Sequence, residues 1–412
     1  MTQGSDPRLD VEALRAKFPA LKREVAGRPA VFADAPGGTQ VPFEVIDAVT
    51  AYYERSNANR GGKFVTSIDT DEIVEESRAA MADFLNCEVG EVVFGANMTT
   101  LAFALSRSLV RELEPGDEIV VTRLDHDGNI SPWLAAAEDA GATVRWVDFS
   151  SEFRLDPESL EAAINERTRI VAFTLASNAL GTVTDAGDIV RRARRVGAMT
   201  IADAVHFAPH RLIDVRALGV DVLFCSPYKF FGPHAGVMYA RRELLDFWHP
   251  YKVRPSNDGP PWDWETGTAN HEGIAAIGAC VEHLADVVVS TGDRRARIAN
   301  SMKVAHVHQQ SLTQRFLRGV SEIDGVTLYG PDHVDRTSTF ALRVWDQHPD
   351  DTALRFADSG VFVWSGNYFA LAVMEALGLE DSGGAVRIGF CQYSSVDEVD
   401  YVLETLDRIA CS

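Results

Sequence analysis

The sequence has no apolar stretch long enough to cross a lipid bilayer. Its longest apolar runs, such as IVAFTLASNAL at residues 170–180, are short and interrupted by polar residues, whereas a membrane-spanning helix needs about 20 apolar residues. The N-terminal segment MTQGSDPRLD is polar and acidic, which is typical neither of a signal peptide nor of a transit peptide. We therefore expect a cytoplasmic protein without a membrane partner.

Cysteine is also scarce, with five residues and no CxxC pair in the chain. An odd number of scattered cysteines argues against a disulfide framework and against a zinc cage. We expect most of them to be small buried residues. They are Cys87, Cys225, Cys280, Cys391 and Cys411.

Basic residues are fewer than acidic residues. The chain has 39 Lys and Arg and 60 Asp and Glu, which gives a net charge of −21. Binding to the phosphate backbone of nucleic acids needs a concentrated positive surface. The one basic run, RRARR at residues 191–195, lies between two strand-like segments and is interpreted as the solvated face of a helix. We expect no nucleic-acid partner.

What is present is the composition of an ordinary globular protein, with 46% hydrophobic and 24% charged residues. A chain of 412 residues is long for a single core, so we predict a large domain over residues 31–288 and a smaller one over 289–412. The division follows the helix-like HEGIAAIGACVEHLADV, after which the pattern changes to a long polar helix. Residues 1–30 are expected to pack on the small domain.

Short β-branched runs alternate with helical stretches through the middle of the chain, which predicts parallel strands joined by helical crossovers in an α/β fold. Ligands of such sheets bind at the carboxyl ends of the strands. The strand-like runs are EIVVTRL, ATVRWVDF, RIVAFTLAS, AMTIADAV, DVLFCSPY and GVMYARREL, and helical stretches such as SPWLAAAEDAG, DPESLEAAI and GDIVRRARRVG lie between them.

One candidate phosphate site lies in EVVFGANMTTLAFALSRSL, which is typical of a strand, a turn and a helix that begins near Met98. Free N–H groups at a helix start, with the hydroxyls of Thr99 and Thr100, suit a phosphate. The alternative is an ordinary Asn or Thr helix cap.

A metal site is disfavoured at both places where acidic residues and histidines follow strands. The run DHDGNISPWLAA has isoleucine and alanine where a calcium loop needs glycine and glutamate. A site formed by Asp203, His206 and His210 is opposed by Pro209, which breaks the helix that such a histidine pair needs.

Lys229, in CSPYKFFGPHAG, follows the strand-like DVLFCS and lies 26 positions after Asp203. A buried lysine without a neighbouring carboxylate is costly unless it is neutral or covalently engaged, and an aldehyde cofactor provides such a partner. A phosphate cradle, an acid for a pyridine nitrogen and a lysine for a Schiff base are the groups that proteins contribute to pyridoxal phosphate chemistry. The ordered set of residues predicts this cofactor.

The sequence resembles the class V aminotransferase or cysteine desulfurase family of fold type I pyridoxal phosphate-dependent transferases. The likeness runs from FADAPGGTQVPFEVIDAV through NANRGGKF to VRIGFCQYSSVDEVD, and its most specific part is DAVHFAPHRLIDVRALGVDVLFCSPYKFFGPHAG. It implies an α/β fold with a mostly parallel seven-stranded-type sheet in the large domain and a smaller α/β C-terminal domain.

The resemblance also implies roles for residues around the cofactor ring. Lys229 would form the Schiff base and then transfer protons. Asp203 would pair with the pyridinium nitrogen, His206 and Asn178 would lie near the phenolic oxygen, and His126 would stack on the ring.

The same resemblance implies a phosphate site and a homodimer with active sites at the subunit interface. Tyr228 replaces the histidine that usually precedes the lysine in the family, so a phosphate contact there is expected less firmly. Thr268 is expected to act from its own or from the neighbouring subunit. The residues assigned to the phosphate are Met98, Thr99, Ser226, Tyr228 and Thr268.

Arg387 in AVRIGF matches the arginine that binds the substrate carboxylate in the family, and a planar guanidinium can hold a carboxylate through two parallel hydrogen bonds. The chain departs from the family in the loop VWSGNYFALA. Where desulfurases have Arg-Thr-Gly-His-His-Cys, this loop has Phe369 at the cysteine position and Trp364 at the arginine position. No cysteine occurs between residues 281 and 390, so sulfur acceptance by the usual route is not expected.

A site that deprotonates Cα but lacks a sulfur acceptor predicts a carbon–sulfur β-lyase that acts on an S-substituted cysteine. The loop residues Trp364, Asn367, Tyr368 and Phe369 would then bind the substrate and its S-substituent, although the aromatics could equally be core packing. Rival reactions are decarboxylation coupled to oxidative deamination of an S-conjugated cysteine, and desulfurase-like, aminotransferase or epimerase activity. The non-enzyme alternative is an inactive, cofactor-binding partner in a sulfur-transfer complex.

Overall fold

The computed structural model of the protein describes residues 9–25, 27–333 and 335–412. The helices within these ranges are α1 (Val11–Arg15), α2 (Phe43–Arg55), α3 (Val65–Leu85), α4 (Met98–Leu109), α5 (Ser131–Ala140), α6 (Pro157–Ala163), α7 (Ala186–Val196), α8 (Val215–Leu218), α9 (Arg242–Phe247), α10 (His271–Ala285), α11 (Arg294–Val320), α12 (Pro349–Asp358), α13 (Leu371–Ala376) and α14 (Val396–Ala410). The strands are β1 (Glu24–Val25), β2 (Arg28–Pro29), β3 (Val31–Phe32), β4 (Val92–Gly95), β5 (Glu118–Thr122), β6 (Thr143–Val147), β7 (Thr168–Thr174), β8 (Met199–Asp203), β9 (Val222–Cys225), β10 (Gly236–Ala240), β11 (Val326–Tyr329), β12 (Thr339–Val344), β13 (Val361–Phe362), β14 (Trp364–Gly366) and β15 (Ala385–Gly389).

A seven-stranded sheet in the order β4-β10-β9-β8-β7-β5-β6 forms the centre of the molecule. Strands β5 to β9 are parallel, and β10 runs antiparallel to both of its neighbours. Every one of the six strand-like runs read from the sequence is a strand of this sheet, and the α/β prediction is confirmed.

The sheet is buried on both faces, which explains why its strands are nearly continuous apolar runs. Along β5, Ile119 and Val121 join the core on one face and Val120 joins the core on the other, because successive side chains of a strand point in opposite directions. Helices α4 and α5 cover the first face, and α7 covers the second. The polar residues after the strands are thereby confined to the ends of the sheet.

The turn between β4 and α4 depends on a close backbone approach at Gly236, the first residue of β10. A Cβ at this glycine would lie 2.3 Å from the carbonyl carbon of Asn97. Asn97 in turn caps α4, since its side-chain oxygen accepts a hydrogen bond from the N–H of Thr100 at 2.8 Å. Glycine at position 236 therefore allows the antiparallel strand to support the start of α4.

A second sheet is antiparallel and has the order β11-β12-β15-β14. Helices α11, α12 and α14 contribute to the core that covers it. Strand β3 pairs in parallel with β13, and Arg15 of α1 forms an ion pair with Glu398 of α14 at 2.7 Å. We propose that the C-terminal domain begins near residue 289, ahead of α11, and that residues 1–30 pack on it through the Arg15–Glu398 pair. Leu14, Phe18 and Leu21 of the same segment join the core on one face of the large sheet.

No helix within the described ranges is long and apolar enough to cross a membrane.

Candidate active site

A cavity of about 1240 Å³ opens at the carboxyl ends of the parallel strands, between the two sheets. All the residues assigned to the site from the sequence line it except Thr268. They are Met98, Thr99, His126, Asn178, Asp203, His206, Ser226, Tyr228, Lys229, Trp364, Asn367, Tyr368, Phe369 and Arg387.

Lys229 lies in the short helical turn that follows β9, and its side chain is buried. Its Nζ donates a hydrogen bond to the carbonyl oxygen of Pro36. Burial lowers the pKa of Lys229 to about 7; the positive charge of Arg387 lowers it further, and the charge of Asp203 opposes the shift. A neutral amine is the form that can attack an aldehyde or accept a proton.

Asp203 is the last residue of β8 and is buried, with one carboxyl oxygen accepting a hydrogen bond from the N–H of Val205 at 2.7 Å. Burial raises its pKa to about 6, against the effect of the Lys229 charge. Behind it lies Asp125, which accepts hydrogen bonds from Thr122 and Asn129 and whose pKa is raised well above its usual value by burial. No local pattern in the sequence connects Asp125 with Asp203.

His126 follows β5, and its Nδ1 accepts a hydrogen bond from the N–H of Gly128 at 2.9 Å. Burial lowers its pKa to about 4, and the charges of Lys229 and Arg387 act in the same direction. The ring is therefore a neutral imidazole at neutral pH, and its flat face is suited to stacking. The ring of Phe369 stacks against it, with a centroid distance of 5.5 Å and an interplanar angle of 25°.

Two buried polar atoms in the cavity lining, His206 Nδ1 and Asn178 Oδ1, have no hydrogen-bond partner among the described residues. The other ring nitrogen of His206 lies 3.2 Å from the hydroxyl of Thr337 and 2.9 Å from that of Thr339. Burial lowers the pKa of His206 well below its usual value. Unsatisfied buried polar groups are costly, so both atoms fit a polar ring substituent of a bound cofactor.

The predicted phosphate site is assembled where α4 begins. The N–H of Met98 donates to the hydroxyl of Ser226 at 3.3 Å, which brings the first turn of α4 and the end of β9 together. The alternative of an ordinary helix cap is observed, because Asn97 caps α4. Met98 and Thr99 line the cavity, and their contact with a phosphate stays a prediction. Tyr228 stacks on His234, a lining residue that the sequence analysis missed, at 5.0 Å between ring centroids.

Thr268 lies outside the cavity lining and is exposed. Within one chain the structure does not bring it to the other phosphate residues.

Arg387 lies in the middle of β15 with its side chain buried. Its Nη1 donates to the carbonyl oxygen of Asn178 at 3.0 Å, while its Nε has no partner among the described residues. Burial lowers its pKa to about 10, and the guanidinium is still charged at neutral pH. A buried, charged guanidinium with a free edge is suited to bind a carboxylate.

The loop from β14 to α13 forms the outer part of the cavity. Trp364 and Phe369 are 51% and 71% exposed, so the alternative that these two are core packing is wrong. The Tyr368 ring lies on Arg387, and its hydroxyl donates to the carbonyl oxygen of Ala385. Asn367 donates to Glu380 at 3.0 Å.

Three further lining residues, His348, Asp350 and Glu380, were missed because they come from α12 and the loop beyond α13, where no local pattern marks them. Among the described residues, no group of three His, Cys, Asp or Glu side chains could hold a metal ion. The rings of His206 and His210 lie 5.1 Å apart, and His210 contacts Gln309 instead of a ligand.

A buried lysine of lowered pKa, a buried acid, a neutral imidazole and a free arginine edge together define an enzyme that binds an aldehyde cofactor and an amino-acid carboxylate. The sequence profile of the family Aminotransferase class-V matches residues 31–402, and the chain belongs to this family.

The chain is 32% identical to the probable cysteine desulfurase 2 of Mycobacterium leprae, over 97% of each sequence. Among solved structures, it is similar to the cysteine desulfurase of Thermococcus onnurineus, with a TM-score of 0.89, 26% identity and 99% coverage of both chains. It is similar to the cysteine desulfurase CsdA of Escherichia coli, with a TM-score of 0.85, 25% identity and coverage of 98% of this chain and 99% of that one.

The protein is thus a cysteine desulfurase-like enzyme of the class V aminotransferase family, and its cofactor is pyridoxal phosphate. The residues in the cavity fit this group. Lys229 is available for the aldehyde, Asp203 for the ring nitrogen, and the two unsatisfied atoms of Asn178 and His206 for the phenolic oxygen.

Proposed function

We propose that the enzyme is a carbon–sulfur β-lyase that converts an S-substituted L-cysteine and water to a thiol, pyruvate and ammonia. The feature that carries this proposal is Phe369, which the resemblance to the family places at the loop position where desulfurases have cysteine. Its side chain has no group that can accept sulfur. All five cysteines of the chain lie in the described ranges, and none of them lines the cavity.

The cysteines are also poorly suited to become nucleophiles. Cys225, Cys280 and Cys391 are buried, and burial raises the pKa of each thiol. The thiolate is the reactive form. Cys411 is exposed one residue from the C-terminus, and it does not line the cavity.

Pyridoxal phosphate supplies, when bound, an electrophilic aldehyde and an electron-accepting ring. Lys229, whose pKa is about 7, is suited to take the proton from Cα and then to donate a proton to the departing sulfur. Arg387 holds the substrate carboxylate. The Cα–H bond breaks and the Cβ–S bond breaks, so that the electron pair leaves with the thiolate, and water completes the conversion to pyruvate and ammonia.

The side chains at the cavity mouth support a substrate with an apolar S-substituent. The cavity of about 1240 Å³ has room for the cofactor and a substrate together. Trp364 and Phe369 expose aromatic surface in this region, which favours an apolar S-substituent.

The test is mass spectrometry of the products formed from L-cysteine and from S-alkyl, S-aryl and S-glycosyl cysteines. We expect pyruvate and free thiol from the S-substituted substrates. Alanine from free cysteine would contradict the proposal in favour of a desulfurase, and carbon dioxide in place of pyruvate would favour oxidative decarboxylation. If the holoenzyme produces no spectral change with any amino acid, the chain is an inactive partner.

We also propose that the enzyme is a homodimer. Apolar side chains are exposed on α2 and at the start of α3, among them Phe43, Ile46, Phe64 and Val65, and exposed apolar groups of this kind are typical of association surfaces. The exposed position of Thr268 is consistent with a role in the partner's phosphate site.

A further inference from the structure

The segment Tyr368–Phe369 has an unusual backbone conformation at the cavity mouth. Its two residues have φ angles of 54° and 58°, in the left-handed region that is unfavourable for residues other than glycine. Such a conformation persists only where the surrounding structure holds it, and it is concentrated at functional sites.

Three contacts hold this segment. The carbonyl oxygen of Phe369 accepts a hydrogen bond from the N–H of Asp127 at 2.6 Å, and that of Tyr368 accepts one from the side-chain amide of Asn178 at 2.9 Å. The Tyr368 hydroxyl donates to the carbonyl oxygen of Ala385. The segment is thus fixed to the loop after β5, to the loop after β7 and to β15.

The result of these contacts is the placement of the Tyr368 ring, whose centroid lies 4.4 Å from the Arg387 guanidinium carbon. A cation above an aromatic face is attracted to it, most strongly where water is excluded. Asn178 accepts a hydrogen bond from Arg387 Nη1 through its carbonyl oxygen at 3.0 Å. The guanidinium is therefore held by an aromatic face and by one carbonyl, and its Nε is left without a partner.

We infer that Tyr368 is a positioning residue for Arg387, whose free edge it keeps directed to the substrate carboxylate. The inference rests on the proposed role of Arg387 and not on which bond of the substrate is cleaved. This role differs from the one predicted from the sequence, in which Tyr368 binds the S-substituent.

The test uses calorimetry to measure how two probes bind to the holoenzyme. The carboxylate probe is the S-benzyl thioether of 3-mercaptopropionate, and the amide probe is the primary amide of the same compound. Both probes lack the amino group, so their binding does not depend on turnover. Tyr368→Phe retains the ring, Tyr368→Leu removes it, and Tyr401→Leu is the matched control. The control removes a tyrosine ring whose centroid lies 3.1 Å from the guanidinium carbon of Arg28, outside the cavity lining.

We expect Tyr368→Leu to weaken binding of the carboxylate probe about tenfold and to leave the Kd of the amide probe unchanged. Tyr368→Phe keeps the ring but loses the hydrogen bond to Ala385, so it should weaken binding of the carboxylate probe less than Tyr368→Leu does, and Tyr401→Leu should change neither Kd by more than about twofold. In an Arg387→Gln background, Tyr368→Leu should have no further effect. If Tyr368→Leu weakens binding of the carboxylate probe and of the amide probe equally, the inference is overturned and Tyr368 acts only through general packing. A wild-type enzyme that does not distinguish the two probes would also overturn it. If this pattern holds but no S-substituted cysteine is cleaved, the β-lyase proposal fails and the role of Tyr368 stands.

Discussion

At the scale of residues, the chemistry of the site depends on how burial changes the pKa values of ordinary side chains. Burial lowers the pKa of Lys229 from 10.5 to about 7 and raises that of Asp203 from 3.8 to about 6. The first shift makes the amine available near neutral pH. His126 becomes a neutral stacking ring for the same reason. The residue types alone would predict a charged lysine at neutral pH, whereas Asp203, with a pKa of about 6, still carries its charge there.

The rate of pyridoxal phosphate uptake by the apoenzyme should rise with pH through about 7 and then level off, because only the neutral Lys229 amine attacks the aldehyde. Asp203→Asn removes a charge that raises the Lys229 pKa, so its midpoint should move to lower pH. Arg387→Gln removes a charge that lowers this pKa, so its midpoint should move to higher pH. Stopped-flow absorbance measures all three proteins in the same buffers. Midpoints that coincide, or that move in the opposite directions, would contradict the assignment.

At the scale of elements, the loop between β14 and α13 is where the sequence predicts a departure from the desulfurases. Its backbone is fixed by hydrogen bonds from Asp127 and Asn178, and it presents Phe369 at the cavity. A second element, the turn between β4 and α4, depends on the close approach of Gly236 to the backbone of Asn97.

Phe369→Cys should give the enzyme a sulfur acceptor, so that free L-cysteine with a reducing thiol yields alanine and sulfide. The wild type should yield neither. Leu371→Cys, two residues further along the chain at the first residue of α13, is the control for a thiol introduced at a neighbouring position. Mass spectrometry of alanine measures the result. Alanine from the wild type at the rate of Phe369→Cys would show that the loop cysteine is not the missing group.

Gly236→Ala should destabilise the protein by about 1–3 kcal/mol, as is typical when an added methyl group overpacks a core. The loss should be accompanied by weaker cofactor binding, because the added Cβ would meet the Asn97 backbone. Gly90→Ala is the control, since its added Cβ meets only the end of the Arg242 side chain. Thermal denaturation and a cofactor titration measure both. If the two variants behave alike, the close approach at Gly236 does not matter.

At the scale of the whole molecule, the two sheets meet around the cavity, and residues from both line it. Thr268, which was expected at the phosphate, does not line this cavity in the single chain. Whether Thr268 acts in the site of a partner subunit can be measured.

Lys229→Ala and Thr268→Ala subunits should complement each other when they are co-expressed with different affinity tags and isolated as hybrids. A Thr268 that acts in the partner's site leaves each hybrid with one intact site, so half of the wild-type activity should return. If Thr268 acts in its own subunit, hybrids should have no more activity than the Thr268→Ala protein contributes. A monomer in light scattering would contradict the dimer directly.

The fold could be predicted from the sequence because alternating buried strands and helices are a local signal. Asp203 and Lys229 could be predicted because the first ends such a strand and the second follows one. The contact of His206 with Thr339, which are separated by 133 residues, could not be predicted, nor could the role of Tyr368. The conformation of Tyr368 is imposed by tertiary hydrogen bonds, and no local pattern predicts a left-handed tyrosine.

The contact of His206 with Thr337 and Thr339 also bears on how ligands enter and leave. These hydrogen bonds are buried and join the end of β8 to the beginning of β12, and the buried Arg336 next to them donates to the carbonyl oxygens of Leu180 and Thr339. Parting the two sheets would break the bonds of His206 and the bond between Arg336 and Leu180 at once, and it would expose the charged group of Arg336. A path for substrate and product past the exposed Trp364 and Phe369, by contrast, breaks none of these bonds.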